Sequence, residues 1–553
     1  MWLVAGALLL YALAIAGTQW VFIADAPDYA MGVAAARASG DVRGLMEFGH
    51  PLWRPLGYAF AHETGTTAPG PSHIHPWLRV LSFMNGVALV MGGVAAACAV
   101  GWLRSRLDPG AVVFAVLWLL GAKAFLNYSH VGTSYVPALG CLLAGLFVAS
   151  LEPGAAGWRT ARNLSAGFLY GASALFWTPF GLVLPGAVLA PLFLRPDWRR
   201  ELSHVIVTAV AGIATLALAF GLVGVWLGFA EVKDLRSWVA SASGGRTFGG
   251  LARAVIGIPR SLVDLGDFGR LAKRYLLKDP LCPTSAKDLL GLDLLKMLGI
   301  YAGLLAGTLA AWRTARGRRS LLLAAALAAP LLAFAVLWQG GDLERYLPAA
   351  PALLLVMATG FQEARERTWL KGLLLASLAM MALTNLSVLS NGAIRRRQDA
   401  ALARLPASTS VAAPRKVFVV SHPQDELFQF HRTYPMHPRN LGGLRVIDVF
   451  APGLASSSGW RSRIDRLVAS ERESGGAVFV SSRLLAGTPE PEWDWIEGDD
   501  PRAAWLELHE HFARFDYERP GRPGEEFLLL RPGGELRAAP SGPTPSPRPP
   551  SSP

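Results

Sequence analysis

Cysteine is almost missing. Three occur in 553 residues, with Cys98 and Cys141 inside apolar runs and Cys282 in a long polar loop. So few, so spaced, exclude a disulfide framework and a cysteine-based metal site. Charge is scarce too, at 17% of residues against 52% hydrophobic, which excludes an ordinary soluble protein. No basic segment precedes the first apolar run, no repeat of solenoid period is present, and the polar C-terminal part has no glycine-rich phosphate loop. These absences count against a cleaved signal peptide, despite Ala14-Ile15-Ala16, and against a repeat array or a phosphate-loop domain.

What is there instead is a series of long apolar runs between Trp2 and Leu389. About 20 apolar residues cross a bilayer as a helix. The runs predict eleven spans, at 2–23, 78–103, 110–127, 133–151, 163–177, 179–194, 203–229, 293–312, 320–338, 346–362 and 369–390. Around Trp177-Thr178-Pro179 the proline either kinks one helix or divides two short ones.

The net charge of +12 would suit nucleic acid only if it gathered on one soluble face. It does not. Basic residues sit in alternate short loops: Arg104 and Arg106; Arg159 and Arg162; Arg195, Arg199 and Arg200; Arg313, Arg316, Arg318 and Arg319; Arg365, Arg367 and Lys371. The intervening short loops 128–132, 177–179 and 339–345 hold only Arg345. That is positive-inside patterning. It predicts an inner (plasma) membrane protein with a cytoplasmic N-terminus. Loops 24–77 and 230–292, and everything after 391, are then extracytoplasmic.

After the last span, Lys416–Val420, Leu444–Phe450, Ala477–Val480 and Phe527–Leu530 read as buried strands, and 459–472 and 501–516 have helical spacing. The expected fold is an α-helical polytopic membrane domain over 1–390 and a small extracytoplasmic α/β domain over 391–531. A Pro/Ser-rich tail, 532–553, reads as disordered. Trp493-Asp494-Trp495 reads as a surface turn.

Ionisable groups near hydrocarbon cost roughly 2.5–3.5 kcal/mol each at a helix centre, and they mark function where they persist. Two clusters stand at expected outer edges. Asp25-Ala-Pro-Asp28-Tyr29 follows the first run, and Gly341-Asp342-Leu343-Glu344-Arg345-Tyr346 interrupts the apolar stretch near 340. If Pro27 opens a helix, Asp25 and Asp28 lie together on its first turn. N-capping and dipole stabilisation are the plainer roles for them. The same outer loop carries Gly49-His50-Pro51-Leu52-Trp53-Arg54-Pro55, then His73-Ile74-His75. In the second outer loop, Ser241–Arg246 and an amphipathic stretch at Leu251–Arg260 form either a mobile cover or a surface connector.

Asp25-Ala-Pro-Asp28-Tyr29, His50-Pro51-Leu52-Trp53-Arg54-Pro55-Leu56 and Asp342-Leu343-Glu344-Arg345-Tyr346-Leu347-Pro348 together resemble the GT-C superfamily of lipid-carrier-dependent glycosyltransferases. Within it they are most similar to protein O-mannosyltransferase-like members. The resemblance covers about 1–390. It implies transfer of a sugar from a polyprenyl-phosphate donor to a glycan, lipid or protein acceptor outside the cytoplasm. Asp25 matches the leading aspartate and is expected to be the general base, with Asp28 as a second acid. Arg345, with Tyr346 and Arg54, is expected to hold the donor phosphate, because a guanidinium pairs well with it. A salt bridge to Asp342 or Glu344 is the alternative role for Arg345. His50, Trp53, Asp342 and Glu344 are expected near substrate. A divalent metal ion is an open expectation, with Asp28, His50, His73 and His75 as weak ligand candidates. No Trp-Trp-Asp acceptor motif is present, which counts against asparagine glycosylation by the oligosaccharyltransferase route. A transporter or lipid flippase is the competing class, although ionisable residues such as Lys123 and His204 lie only towards span ends.

Overall fold

The computed structural model describes residues 1–20, 25–63, 76–152, 156–194, 198–241, 250–266, 268–277, 284–338, 340–403, 416–420, 444–448, 460–473, 475–482, 485, 501–518 and 527–530. The chain divides into two compact units. One is Met1–Lys273 with Ser285–Arg395, and the other is Arg274–Thr284 with Arg396–Pro553.

The first unit is helical. Five of its described helices are long and apolar enough to cross a membrane: α4 (Pro76–Arg104), α10 (Trp198–Leu227), α14 (Leu292–Trp312), α15 (Ala315–Leu337) and α17 (Thr368–Leu389). A sixth is added if the bent pair α5 (Pro109–Gly121) and α6 (Lys123–Ser129) is one span. The other expected spans fall on shorter or more polar helices: α1 (Trp2–Gly17), α7 (Tyr135–Ser150), α8 (Ala156–Phe176), α9 (Leu184–Leu194) and α16 (Ala350–Glu363). By length and composition alone, five or six of the described helices suffice to cross a membrane, and the expected eleven are not reached on that measure.

Three breaks shorten some of the expected spans. Helix α1 stops at Gly17 because Thr18 is extended; its hydroxyl donates to the Ala14 carbonyl and meets His130 Nε2 at 3.0 Å. The α5–α6 pair bends by 64° at an extended Ala122. Such a break strands carbonyls, which need other donors. Asn385 supplies one, donating to Gly121 at 2.7 Å and to Leu262 at 2.6 Å, while its own oxygen accepts from the Asp264 amide at 2.8 Å. Beside it Lys123 pairs with Asp264. At the third break Trp177 is extended and Pro179 opens a 3-10 helix over Thr178–Val183 that feeds α9. The proline divides two helices; it does not kink one.

Several contacts join segment ends that the arginine pattern puts on one side. Segments expected outside touch one another: His50 meets Ser134 and Phe176, Thr18 meets His130, and Arg345 meets Trp177. Segments expected inside do likewise, with Asp108 bonded to Gln362 and paired with Arg365.

The second outer loop, read as either a mobile cover or a surface connector, is tied down at α12 (Leu251–Leu262). Helix α12 donates from Arg260 to the Gly341 carbonyl at 3.0 Å and accepts from Tyr346 at Ala254.

In the second unit a five-stranded sheet runs in the order β2-β1-β3-β5-β4, with β1 Lys416–Val420, β2 Leu444–Asp448, β3 Ala477–Ser481, β4 Tyr517–Glu518 and β5 Phe527–Leu530. Strands β1, β2 and β3 pair in parallel, while β5 is antiparallel to β3 and β4. Helices Trp460–Glu473 and Pro501–Ala513 accompany it. Trp493–Trp495 lies outside the described residues.

Candidate active site

Helix α2 (Ala26–Ser39) opens with Pro27 in its first turn, where the missing amide costs nothing. Asp25 occupies the N-cap position, yet its side chain makes no capping hydrogen bond. Its Oδ2 instead lies 3.4 Å from the Tyr29 hydroxyl, one turn along the helix. Asp25 and Asp28 are both exposed, whereas Tyr29 is buried.

The His50 turn is sewn onto the end of α8 by backbone bonds, Leu52 to Leu175 and Thr178 to Gly49, each 3.1 Å. This fixes the imidazole. His50 Nε2 lies 2.9 Å from the Tyr29 hydroxyl; Nδ1 lies 2.6 Å from Ser134 Oγ and 3.3 Å from the Phe176 carbonyl. Burial drives its pKa down to about 3, and the charges of Arg345 and Arg54 push the same way against the Phe176 bond. The ring is neutral at any ordinary pH. Arg54, on α3 (Trp53–Glu63), pairs with Glu47 at 2.9 Å and lies over the Tyr29 ring, 5.1 Å from its centroid. Burial raises the Glu47 carboxyl, and Arg54 opposes that.

The other wall is a 3-10 turn, Leu343–Ala349. It packs backbone to backbone on α12: a Cβ on Gly257 would stand 1.9 Å from the Gly340 carbonyl and 2.7 Å from the Tyr346 ring. Only glycine permits that approach. Arg345 lies between two indoles, 4.5 Å from the Trp338 centroid and 5.4 Å from that of Trp177. Neighbouring Glu344 is buried and accepts from the Tyr128 hydroxyl at 2.8 Å. Burial first, then the Asp342 charge, raises its pKa to about 7, against the opposing influence of Arg345 and Tyr128.

Tyr135 joins the two walls. Its ring touches His50, Tyr128 and Trp177, with centroids 5.9, 4.9 and 4.4 Å apart. On one side its neighbour His50 meets Tyr29, whose hydroxyl lies 3.4 Å from Asp25 Oδ2; on the other its neighbour Trp177 lies under Arg345. The acid after the first helix and the guanidinium near residue 345 therefore share one constellation.

Three expected substrate or phosphate contacts have different surroundings. Trp53 is 0% exposed and donates from Nε1 to the Gly132 carbonyl at 3.0 Å, so it anchors the His50 turn from within the core. Tyr346 is buried and donates to Gly340 at 2.7 Å and to Ala254 at 3.1 Å, closing its own loop onto α12. His50 has both nitrogens occupied by protein groups. His73 and His75 lie outside the described residues, and among those described no three metal-ligating side chains gather. Sequence reasoning missed Tyr128, Tyr135, Trp177 and Trp338. Each stands at the end of an apolar run, where tyrosine and tryptophan are expected as interface anchors in any membrane protein.

No family model and no curated protein matches the chain. Among solved structures it is similar to apo ArnT from Cupriavidus metallidurans, at 15% identity over 96% of each chain, with a TM-score of 0.49. It is also similar to the oligosaccharyltransferase AglB from Archaeoglobus fulgidus, solved with an inhibitory peptide and a dolichol-phosphate. That match has 14% identity over 98% of this chain and 74% of that one, with a TM-score of 0.45. A third is the arabinofuranosyltransferase AftD from Mycobacteria, at 14% identity over 96% of this chain and 41% of that one, with a TM-score of 0.38. With every score below 0.5, the chemistry of the site rests on its own side chains.

Proposed function

We propose that the protein is an integral-membrane glycosyltransferase that moves a sugar from a polyprenyl-phosphate donor to an acceptor hydroxyl on the extracytoplasmic side. What supports this reading is the unbroken run of contacts from Asp25 through Tyr29, His50, Tyr135 and Trp177 to Arg345, at segment ends that the arginine pattern assigns to one face. A lipid-linked sugar phosphate keeps its tail in hydrocarbon and its head at that level.

The chemistry follows from the groups available. Asp25 takes the proton of the acceptor hydroxyl as its oxygen attacks the anomeric carbon; such general-base help is worth about 10²–10⁴-fold. The bond from that carbon to the phosphate oxygen breaks, and its electron pair leaves on the polyprenyl phosphate. A single displacement of this kind inverts the anomeric centre. Arg345, held between Trp177 and Trp338, meets the charge that develops on the leaving phosphate. Arg54 is a second cation, already partly offset by Glu47. Exposed Asp28 is suited to orienting the acceptor.

The test is incubation of purified full-length protein with a panel of polyprenyl-phosphate sugars, scoring labelled product. Transfer that disappears in a normally folded Asp25→Asn protein supports the reading. Undiminished transfer in that variant removes Asp25 as the base, and no transfer from any donor favours the transporter class.

A further inference from the structure

The Tyr29 hydroxyl has one proton and three hydrogen-bonding neighbours; the Tyr135 hydroxyl can donate to it, whereas His50 Nε2 and the Asp25 carboxylate compete for its proton. His50 Nε2 lies at 2.9 Å and Asp25 Oδ2 at 3.4 Å. Which one receives the proton depends on the imidazole tautomer, and the far side of the ring decides that. Nδ1 faces the Phe176 carbonyl at 3.3 Å. A carbonyl only accepts, so this contact favours the tautomer with hydrogen on Nδ1, which Ser134 Oγ at 2.6 Å can also accept. In the neutral ring Nε2 is then bare and needs a donor.

We propose that His50 is a positioning residue for the base: it holds the Tyr29 proton on its Nε2 and so keeps that proton from Asp25. The inference rests on the transferase reading above. A carboxylate that accepts a hydrogen bond becomes a weaker base. With Tyr29 turned to His50, the Asp25 carboxylate keeps its basicity for the acceptor hydroxyl. The same contact gives a role to a histidine that is buried. Other groups bear on Asp25 as well: Glu47 from the turn before His50, Arg54 through Glu47 and Tyr29, and Tyr135 from α7. Beyond Tyr135 stand Glu344 and Arg345. None of these changes between the variants below.

The test is the pH profile of sugar transfer. In His50→Asn the side-chain amide replaces Nδ1 and keeps the Ser134 and Phe176 contacts, but the Nε2 acceptor is gone. Tyr29 then donates to Asp25. The acid limb moves down by about one pH unit and the plateau rate falls several-fold. His50→Gln, whose oxygen reaches the Nε2 position, restores the limb. In a Tyr29→Phe background, with no proton to redirect, His50→Asn leaves the limb unmoved. A thermal melt of each purified variant identifies any that misfold, and the Gln and Phe arms then decide. An unmoved limb in His50→Asn, or a shift that persists without the Tyr29 hydroxyl, overturns the inference. Absence of transfer in the unaltered protein would instead overturn the transferase reading.

Discussion

The Tyr128 hydroxyl donates to Glu344 Oε2 at 2.8 Å across 216 residues of sequence. That bond satisfies one oxygen of a buried carboxylate beside the guanidinium proposed to hold the donor. It does not repay the burial, because the Glu344 pKa rises from 4.5 to about 7.

A stability profile follows. A carboxyl whose folded pKa is raised costs nothing below the unfolded value, costs more as pH climbs through the interval, and reaches a constant penalty above the folded value. Glu344→Gln keeps an oxygen for Tyr128 and removes the charge. It should therefore match the unaltered protein below about pH 4.5 and exceed it above about pH 7, by on the order of 2 kcal/mol. Thermal melts in one detergent at pH 4.5 and 8 measure this. A constant difference at both pH values would contradict it.

Arg345 should act on the donor. Arg345→Lys keeps the charge but loses the planar fork and its stacking between Trp177 and Trp338. The donor KM should rise by about 10-fold or more, while the acceptor KM stays put. Steady-state kinetics with each substrate varied in turn separates the two, and equal effects would count against a phosphate role.

Asn385 supports three backbone groups at once, on Gly121, Leu262 and Asp264. Asn385→Ala orphans all three in a buried place, at about 1–3 kcal/mol each. We expect a large fall in melting temperature, together with faster amide exchange around 121–123 and 262–264. A melt within a degree of the unaltered protein would show that the helix break needs no such support.

Gly257 lets α12 touch the loop that carries Arg345. Gly257→Ala pushes a methyl into the Gly340 carbonyl and the Tyr346 ring, and overpacking of this kind costs about 1–3 kcal/mol. The displaced loop should lose donor use more than stability. Alanine at Gly291, where a Cβ meets nothing within 4 Å, is the control. Unchanged donor kinetics in Gly257→Ala would mean that the loop is set without α12.

Much of the scaffold was readable because the bilayer makes a local demand. Apolar runs marked helices wherever they occurred, and alternation of arginines sorted the loops into two sets that do meet among themselves. Helix breaks at Thr18 and Ala122 were not readable, since nothing within either run signals them. Each break is tolerated because side chains supply the missing hydrogen bonds: Thr18's own hydroxyl to Ala14, held by His130, and Asn385 from far along the chain to Gly121.

The same division runs through the site. Sequence alone marked Asp25, Asp28, Glu344 and Arg345, because charge at the edge of an apolar run is expensive wherever it is met. Only the tertiary structure decided that Arg345 lies between two indoles while Tyr346 turns inward, and that His50 serves Tyr29 and not open space. The reason is physical: a side chain's hydrogen-bond partners here come from segments tens to hundreds of residues away. The helix packing that brings those segments together leaves no trace in the residues beside it.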